Sequence, residues 1–202
     1  MSDKAFAGGL FAVGAAILTA GFIYVQTGHS AQAEDGPGPN LVLEVDGEAK
    51  GRIVIDLRPD LAPKHVEQIT ALAKRGDYDN VVFHRVIEGF MAQTGDVQYG
   101  KVGGDLSSAG MGGSDLPDLP AEFSAEPFVR GTVGMARSSD PNSANSQFFI
   151  MFAPGDFLNG QYTVVGSVVE GMDLVDQIKK GDPANNGAVT GDPDRIVKAT
   201  VE

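Results

Sequence analysis

The 202-residue chain contains no cysteine, which excludes disulfides and cysteine-ligated metals outright. Basic residues are few: 15 Lys and Arg stand against 27 Asp and Glu, giving a formal net charge of −12. Nucleic acids are bound by basic surfaces, and no Lys/Arg cluster interrupts the acidic background, so DNA and RNA are excluded as main partners. Histidine is limited to His29, His65 and His84, with no spacing that suggests a metal site. The composition is otherwise that of a globular domain, 42% hydrophobic and 21% charged, far from a disordered chain.

One long apolar run is present. Ala5 to Val25, "AFAGGLFAVGAAILTAGFIYV", carries no charge, and a soluble domain of this size rarely buries a segment that is hydrophobic all round. Two readings compete for it. Lys4 supplies a basic start and "HSAQA" an A-x-A cleavage site at Ala31 and Ala33, the pattern of a secretory signal over residues 1–33. The run is also about 20 residues long, enough for a membrane anchor formed by residues 5–25. The cleavage site favours a signal and a periplasmic or otherwise exported protein; the alternative is an anchored one, associated with the membrane through its N-terminus. "EDGPGPN", residues 34–40, is a polar Gly/Pro linker in which no helix continues. A domain over residues 41–202 follows.

Within it, "LVLEVDGEAKGRIVIDL" alternates at Leu41, Leu43, Val45 and again at Ile53, Ile55, Leu57 around Asp46-Gly47, which predicts a hairpin with one buried face. "APKHVEQITALAKRGDYD" predicts a helix with Pro63 at its first position, an apolar stripe through Val66, Ile69, Leu72 and Ala73, and Gly76 at its end. Strand-like runs recur at "VVFHRVI", "SQFFIMFA", "YTVVGSVV" and "RIVKATV". A short helix is expected at "GMDLVDQIKKG", and the Gly/Pro-rich stretch from Tyr99 to Pro127 reads as loops. Several antiparallel strands with two widely separated helices suit a β-barrel or an α+β domain.

"FHRVIEGFMAQTGD", residues 83–96, sets Arg85 among apolar residues with no nucleophile or paired carboxylate nearby. An arginine in a strand is ordinarily solvent-facing. His84 beside it falls on the opposite strand face, which suggests a structural role. In "SQFFIM", Phe148 and Phe149 must likewise face opposite sides.

Taken together, "FHRVIEGFMAQTGD", "GTVGMARSSDPNSANSQFFIMFA" and "FLNGQYTVVGSVVEGMDLVDQI" resemble the cyclophilins, the peptidyl-prolyl cis-trans isomerase family, and their bacterial-type members in particular. The resemblance spans about residues 41–201. It implies a closed eight-stranded antiparallel barrel capped by two helices, with an outer groove for proline-containing polypeptides. It implies no metal or cofactor, and the domain looks self-sufficient as a monomer.

The chemistry gives the lone arginine a purpose. Rotation about an X–Pro bond must break amide resonance, against a barrier of about 18–20 kcal/mol. No covalent bond is cleaved, so catalysis rests on favouring the twisted amide over the planar one. Twisting localises a lone pair on the prolyl nitrogen, and a guanidinium aimed there or at the neighbouring carbonyl stabilises it. By resemblance Arg85 is that catalytic group. Phe90, Met91, Phe149 and Leu158 match the pocket for the proline ring. Gln93 and Gln147 match donors and acceptors for the substrate backbone, and Ala136 lines the groove. Arg137 stands where many members have Asn, Phe157 where many have Trp, and Tyr162 where many have His. Loss of the indole N–H implies weak inhibition by cyclosporin while catalysis survives.

Overall fold

The computed structural model describes residues 33–202; apart from Ala33, the expected signal or anchor lies outside the described residues. The elements in chain order are β1 (Asn40–Asp46), β2 (Gly51–Leu57), α1 (Pro63–Arg75), β3 (Val81–Val82), β4 (Arg85–Ile87), β5 (Met91–Thr94), β6 (Thr132–Met135), β7 (Phe148–Met151), β8 (Val164–Glu170), α2 (Met172–Gln177) and β9 (Arg195–Val201). Tyr99 to Pro127 is loop, interrupted by a single 3-10 turn at Leu106–Ser108.

The expectation of a closed eight-stranded barrel needs correction. The strands form one curled antiparallel sheet of nine, in the order β3-β9-β1-β2-β8-β6-β7-β5-β4, and no ladder joins its two ends. The cause lies in "VVFHRVI", which reads as one strand but divides at Phe83–His84. Upstream, β3 pairs with β9. The Phe83 N–H then donates to the Asp194 carbonyl at 2.8 Å, and the Val86 N–H to Gly187 at 2.8 Å. The outer edge of β4 is thus covered by residues 187–189, and that of β3 by residues 100–102 through Val82 N–H to Gly100 and Val102 N–H to Asn80. Loops take the place of the missing ladder, so neither edge is left to template another chain.

Inside the curl, alternate residues of each strand build the main core, with Leu41, Leu43, Ile53, Ile55, Phe83, Val86, Phe148 and Ile150 among its members. Helix α1 buries Val66, Ile69, Leu72 and Ala73 as its stripe predicts, and His65 and Gln68 with them. Its N-cap, Ala62, has no side chain to offer. Glu122, from the long loop, supplies the missing acceptors to the N–H groups of Lys64 and His65 at 3.3 and 3.1 Å, satisfying donors that every helix start leaves orphaned. Gly76 ends the helix in the left-handed conformation at φ 74°. Helix α2 stops earlier than its pattern suggests, at Gln177. Ile178 is extended and buried, and the Lys179 N–H donates to Asp194 Oδ2 at 2.7 Å, a long-range bond that draws the chain out of the helix.

The Gly/Pro stretch before β1 runs along β2. The Gly36 N–H donates to Asp56 Oδ2 at 3.2 Å and the Leu57 N–H donates to Pro39 at 3.0 Å. Asp56 is 3% exposed, and burial pushes its carboxyl pKa up despite the Gly36 bond.

Candidate active site

Register assembles the site. Arg85 on β4 stands opposite Gln93 on β5, Gln93 opposite Phe149 on β7, and Phe149 opposite Gly134 on β6. One row across four strands therefore presents an arginine, an amide, an aromatic ring and a gap on the same outer face. Two residues along, Ile87, Met91 and Met151 form the neighbouring row.

The gap at Gly134 is needed. A Cβ there would lie 2.6 Å from both Phe128 Cε1 and Phe149 Cζ. Phe128 is fully buried, and its ring stacks on Phe149 at a centroid distance of 5.8 Å and an interplanar angle of 21°. These rings join Met91, Met151, Leu158 and Val164 in a second buried cluster outside the sheet, against which Phe90, Ala136 and Tyr162 pack. The groove has a floor with its own core.

All of the expected site residues except Gln147 line one groove of about 280 Å³: Arg85, Phe90, Met91, Gln93, Ala136, Arg137, Phe149, Phe157, Leu158 and Tyr162. Phe157 and Leu158 come from the 3-10 turn Asp156–Leu158. Phe157 is 65% exposed and leans on Phe90 at 5.5 Å between centroids. Tyr162 meets Phe149 edge-on at 6.0 Å and carries the Arg137 guanidinium over its face at 4.2 Å. Arg137 also donates to the carbonyls of Ser138 and Gln161, each at 2.9 Å. Its side chain thus forms groove wall as well as its main chain. Gln147 lines the adjoining cavity, of about 340 Å³, which shares Gln93, Ala136 and Arg137 with the groove.

Arg85 is half-buried, and burial lowers its guanidinium pKa from the ordinary value, with Tyr162 acting against the shift. Its Nη1 donates to Gln93 Oε1 at 3.1 Å, its Nε to the Asn186 carbonyl at 3.0 Å and its Nη2 to Asn186 Oδ1 at 3.1 Å. Among the described residues no ion pair involves Arg85. Behind it the bonds continue inward. Gln93 Nε2 donates to Gln147 Oε1 at 2.9 Å, and Gln147 Nε2 donates to the carbonyls of Gly110 and Gly112 at 3.0 and 2.8 Å. The N–H groups of those two glycines donate to the buried carboxylate of Asp96 at 2.7 and 2.9 Å. A relay of fixed dipoles thus runs from Asp96 to the guanidinium.

His84 lies on the inner side, 8% exposed, with neither ring nitrogen partnered among the described residues. Burial pushes its pKa down, with Asp96 opposing, so the imidazole is neutral at neutral pH and sits away from the groove. Phe128, Gly134, Asp96 and Asn186 escape a reading of the sequence. Asn-Gly at 186–187 does signal a turn, but nothing local ties it to an arginine 101 positions away.

An apolar groove over the outer face of a curled sheet, edged by Arg85 and Arg137 and with no Ser, Cys or carboxylate among its lining residues, suits rotation about a bond rather than its cleavage. Residues 41–201 match the model of the family described as cyclophilin type peptidyl-prolyl cis-trans isomerase/CLD. The chain is 60% identical, over 191 residues covering 93% of it and 95% of the relative, to a probable peptidyl-prolyl cis-trans isomerase of Brucella suis biovar 1. It is similar to the crystal structure of a cyclophilin from Hirschia baltica, with a TM-score of 0.66 at 27% identity over 82% of this chain and 74% of the other. It shares its fold with a Cryptosporidium parvum cyclophilin crystallised in the presence of the dipeptide Ala-Pro, with a TM-score of 0.67 at 24% identity, covering 81% of this chain and 98% of the other. The chain belongs to the cyclophilin-type peptidyl-prolyl cis-trans isomerases.

Proposed function

We propose that this isomerase acts on proline-containing chains outside the cytoplasm, assisting the folding of exported proteins, with Arg85 as its catalytic residue. One observation carries the mechanism: a half-buried guanidinium at the edge of an apolar groove whose hydrogen-bond partners are all neutral. A proline ring seated over Phe149, Met91 and Leu158 brings its amide nitrogen within the reach of that charge. As the amide twists, the nitrogen becomes an acceptor, and a charge-assisted bond forms that neither planar isomer can make. The surrounding apolar wall lowers the local dielectric and strengthens it. Gln93 and Gln147, fixed by the relay from Asp96, hold the substrate backbone.

The test is the exchange rate of a proline-containing peptide by NMR, with the full chain in mild detergent and its Arg85→Ala variant. Loss of roughly 100-fold of the acceleration is expected, equivalent to about 2.7 kcal/mol at 1.36 kcal/mol per decade, while peptide binding persists. A variant that catalyses like the parent removes Arg85 from the mechanism.

Export rests on the apolar run and the Ala-x-Ala site before Glu34. In the producing cells, a mature protein beginning at Glu34, or an intact one in the membrane fraction, is the expected finding; an intact chain in the cytoplasmic fraction overturns it. The covered sheet edges favour a monomer.

A further inference from the structure

Arginine carries five N–H donors in a rigid fork, and where Arg85 points depends on what holds that fork. Asn186 holds it twice, through its carbonyl to Nε and its side-chain Oδ1 to Nη2. Gln93 holds Nη1 from the other side, and the Met91 sulfur lies 3.8 Å from the same nitrogen. The residue that holds Arg85 through two acceptors is itself in an unusual conformation. Asn186 sits at φ 50° and ψ 33°, the left-handed region, which Asn tolerates better than most side chains. That conformation ends the short turn Pro183–Asn185, which the Asp182 side chain caps by accepting the Ala184 N–H at 2.9 Å. The turn is pinned to β4 by Val86 N–H to Gly187 and Gly181 N–H to Val86, at 2.8 and 2.9 Å. The acceptor is therefore tied to the strand that carries the arginine.

We propose that Asn186 is the positioning residue of Arg85, and that its neutrality matters as much as its geometry. Two acceptors on one residue fix the plane of the guanidinium and leave its Nη edge toward the groove. A carboxylate in the same place would hold the fork equally well. It would also cancel the charge that the twisted prolyl nitrogen is to meet, and the half-buried setting would make that cancellation strong. An amide orients the cation without neutralising it. This inference rests on Arg85 acting on the prolyl amide as proposed above.

The discriminating variant is Asn186→Gly, which is compatible with the left-handed backbone and the carbonyl bond to Nε and removes the side chain with its bond to Nη2. NMR exchange on a proline-containing peptide gives the on-enzyme interconversion rate and the dissociation constant separately. The expected result is a rate lower by roughly tenfold, the scale of a small misorientation of a catalytic group, with dissociation constant and melting temperature unchanged. Asn186→Asp restores an acceptor at the same reach but not the rate, and its activity recovers only as the pH falls below the ordinary aspartate value, about 3.9, because the facing Arg85 guanidinium favours the charged carboxylate. A parental rate in Asn186→Gly overturns the positioning role, and a parental rate in Asn186→Asp at neutral pH overturns the role of neutrality. Arg85→Ala run beside them separates the two levels. If it too keeps the parental rate, the mechanism itself fails; if it alone is inactive, only the assignment of Asn186 does.

Discussion

Phe148 and Phe149 are neighbours in the chain and differ in everything that follows from facing opposite sides of β7. Phe148 points into the main core, fully buried, with its ring edge-on to Tyr78 at 5.6 Å. Phe149 points outward into the smaller cluster, stacked on Phe128 and lining the groove. The inner cluster is surrounded by sheet and helices. The outer one is also buried, but it borders the groove, with Met91, Phe149 and Leu158 belonging to both. The contrast separates two uses of buried apolar surface: one excludes water to hold the fold together, and the other, under the mechanism proposed above, makes a nearby charge count for more.

The comparison is broken most forcefully by truncating each ring in turn. Phe148→Ala is expected to cost about 3–5 kcal/mol of stability, read from denaturant midpoints. Phe149→Ala is expected to cost less, because the space its ring leaves opens into the groove rather than forming a sealed cavity, but to weaken peptide binding, which Phe148→Ala leaves alone in the folded fraction. Equal losses of stability with equal binding would erase the distinction between the clusters. A smaller effect is expected from Gly134→Ala. Its methyl would press on both Phe128 and Phe149, an overpacking worth about 1–3 kcal/mol. It would tilt the Phe149 ring into the groove, so peptide affinity should fall in step with stability.

The smallest effect sharpens the inner side alone. Burial raises the carboxyl pKa of Glu122, but the bonds from the His65 side chain and from the N–H groups of His65 and Lys64 together outweigh it and hold the carboxyl below its ordinary value. A depressed folded pKa gives stability that is present above the unfolded value, about 4.3, and lost as pH falls through the folded one. Melting curves recorded downward from pH 5 should therefore fall less steeply for Glu122→Gln than for the parent. Asp56 runs the other way: its folded pKa is raised, so its own contribution to stability improves as pH falls toward the unfolded value, about 3.9. Peptide exchange at the groove is not expected to follow either slope.

Much of this was legible in the residues. Alternation in "SQFFIM" was enough to send Phe148 and Phe149 to different faces, and the same alternation separated His84 from Arg85. The stripe and terminal signals of α1 matched the helix at both ends. What stayed hidden was set by partners distant in sequence. "VVFHRVI" is uniformly strand-like, and nothing in it shows that its outer edge will be met by residues 100–102 on one half and 187–189 on the other. The apolar pattern of α2 continues through Ile178, while the bond that ends the helix comes from Asp194. Ten of the expected groove residues do gather in one place. Nothing local ties Asn186, Gly134 and Phe128 to the groove, although Asn186-Gly187 does mark a turn; their partners there lie far off in sequence.

The place of β9 has a further consequence. The last strand lies between β1 and β3, with Leu41 opposite Val201 and Val81 opposite Ile196. During synthesis, the first strand of the domain leaves the ribosome long before its neighbour exists. Every residue of the groove is made while one long edge of β1 is still unpaired, and contacts of such sequence separation are slow to form. Strand β1 stays open along that edge until β9 is made, and removing residues 199–202 would take the partners of Leu41, Val42 and Leu43 while leaving Arg195 and Ile196 to pair with β3.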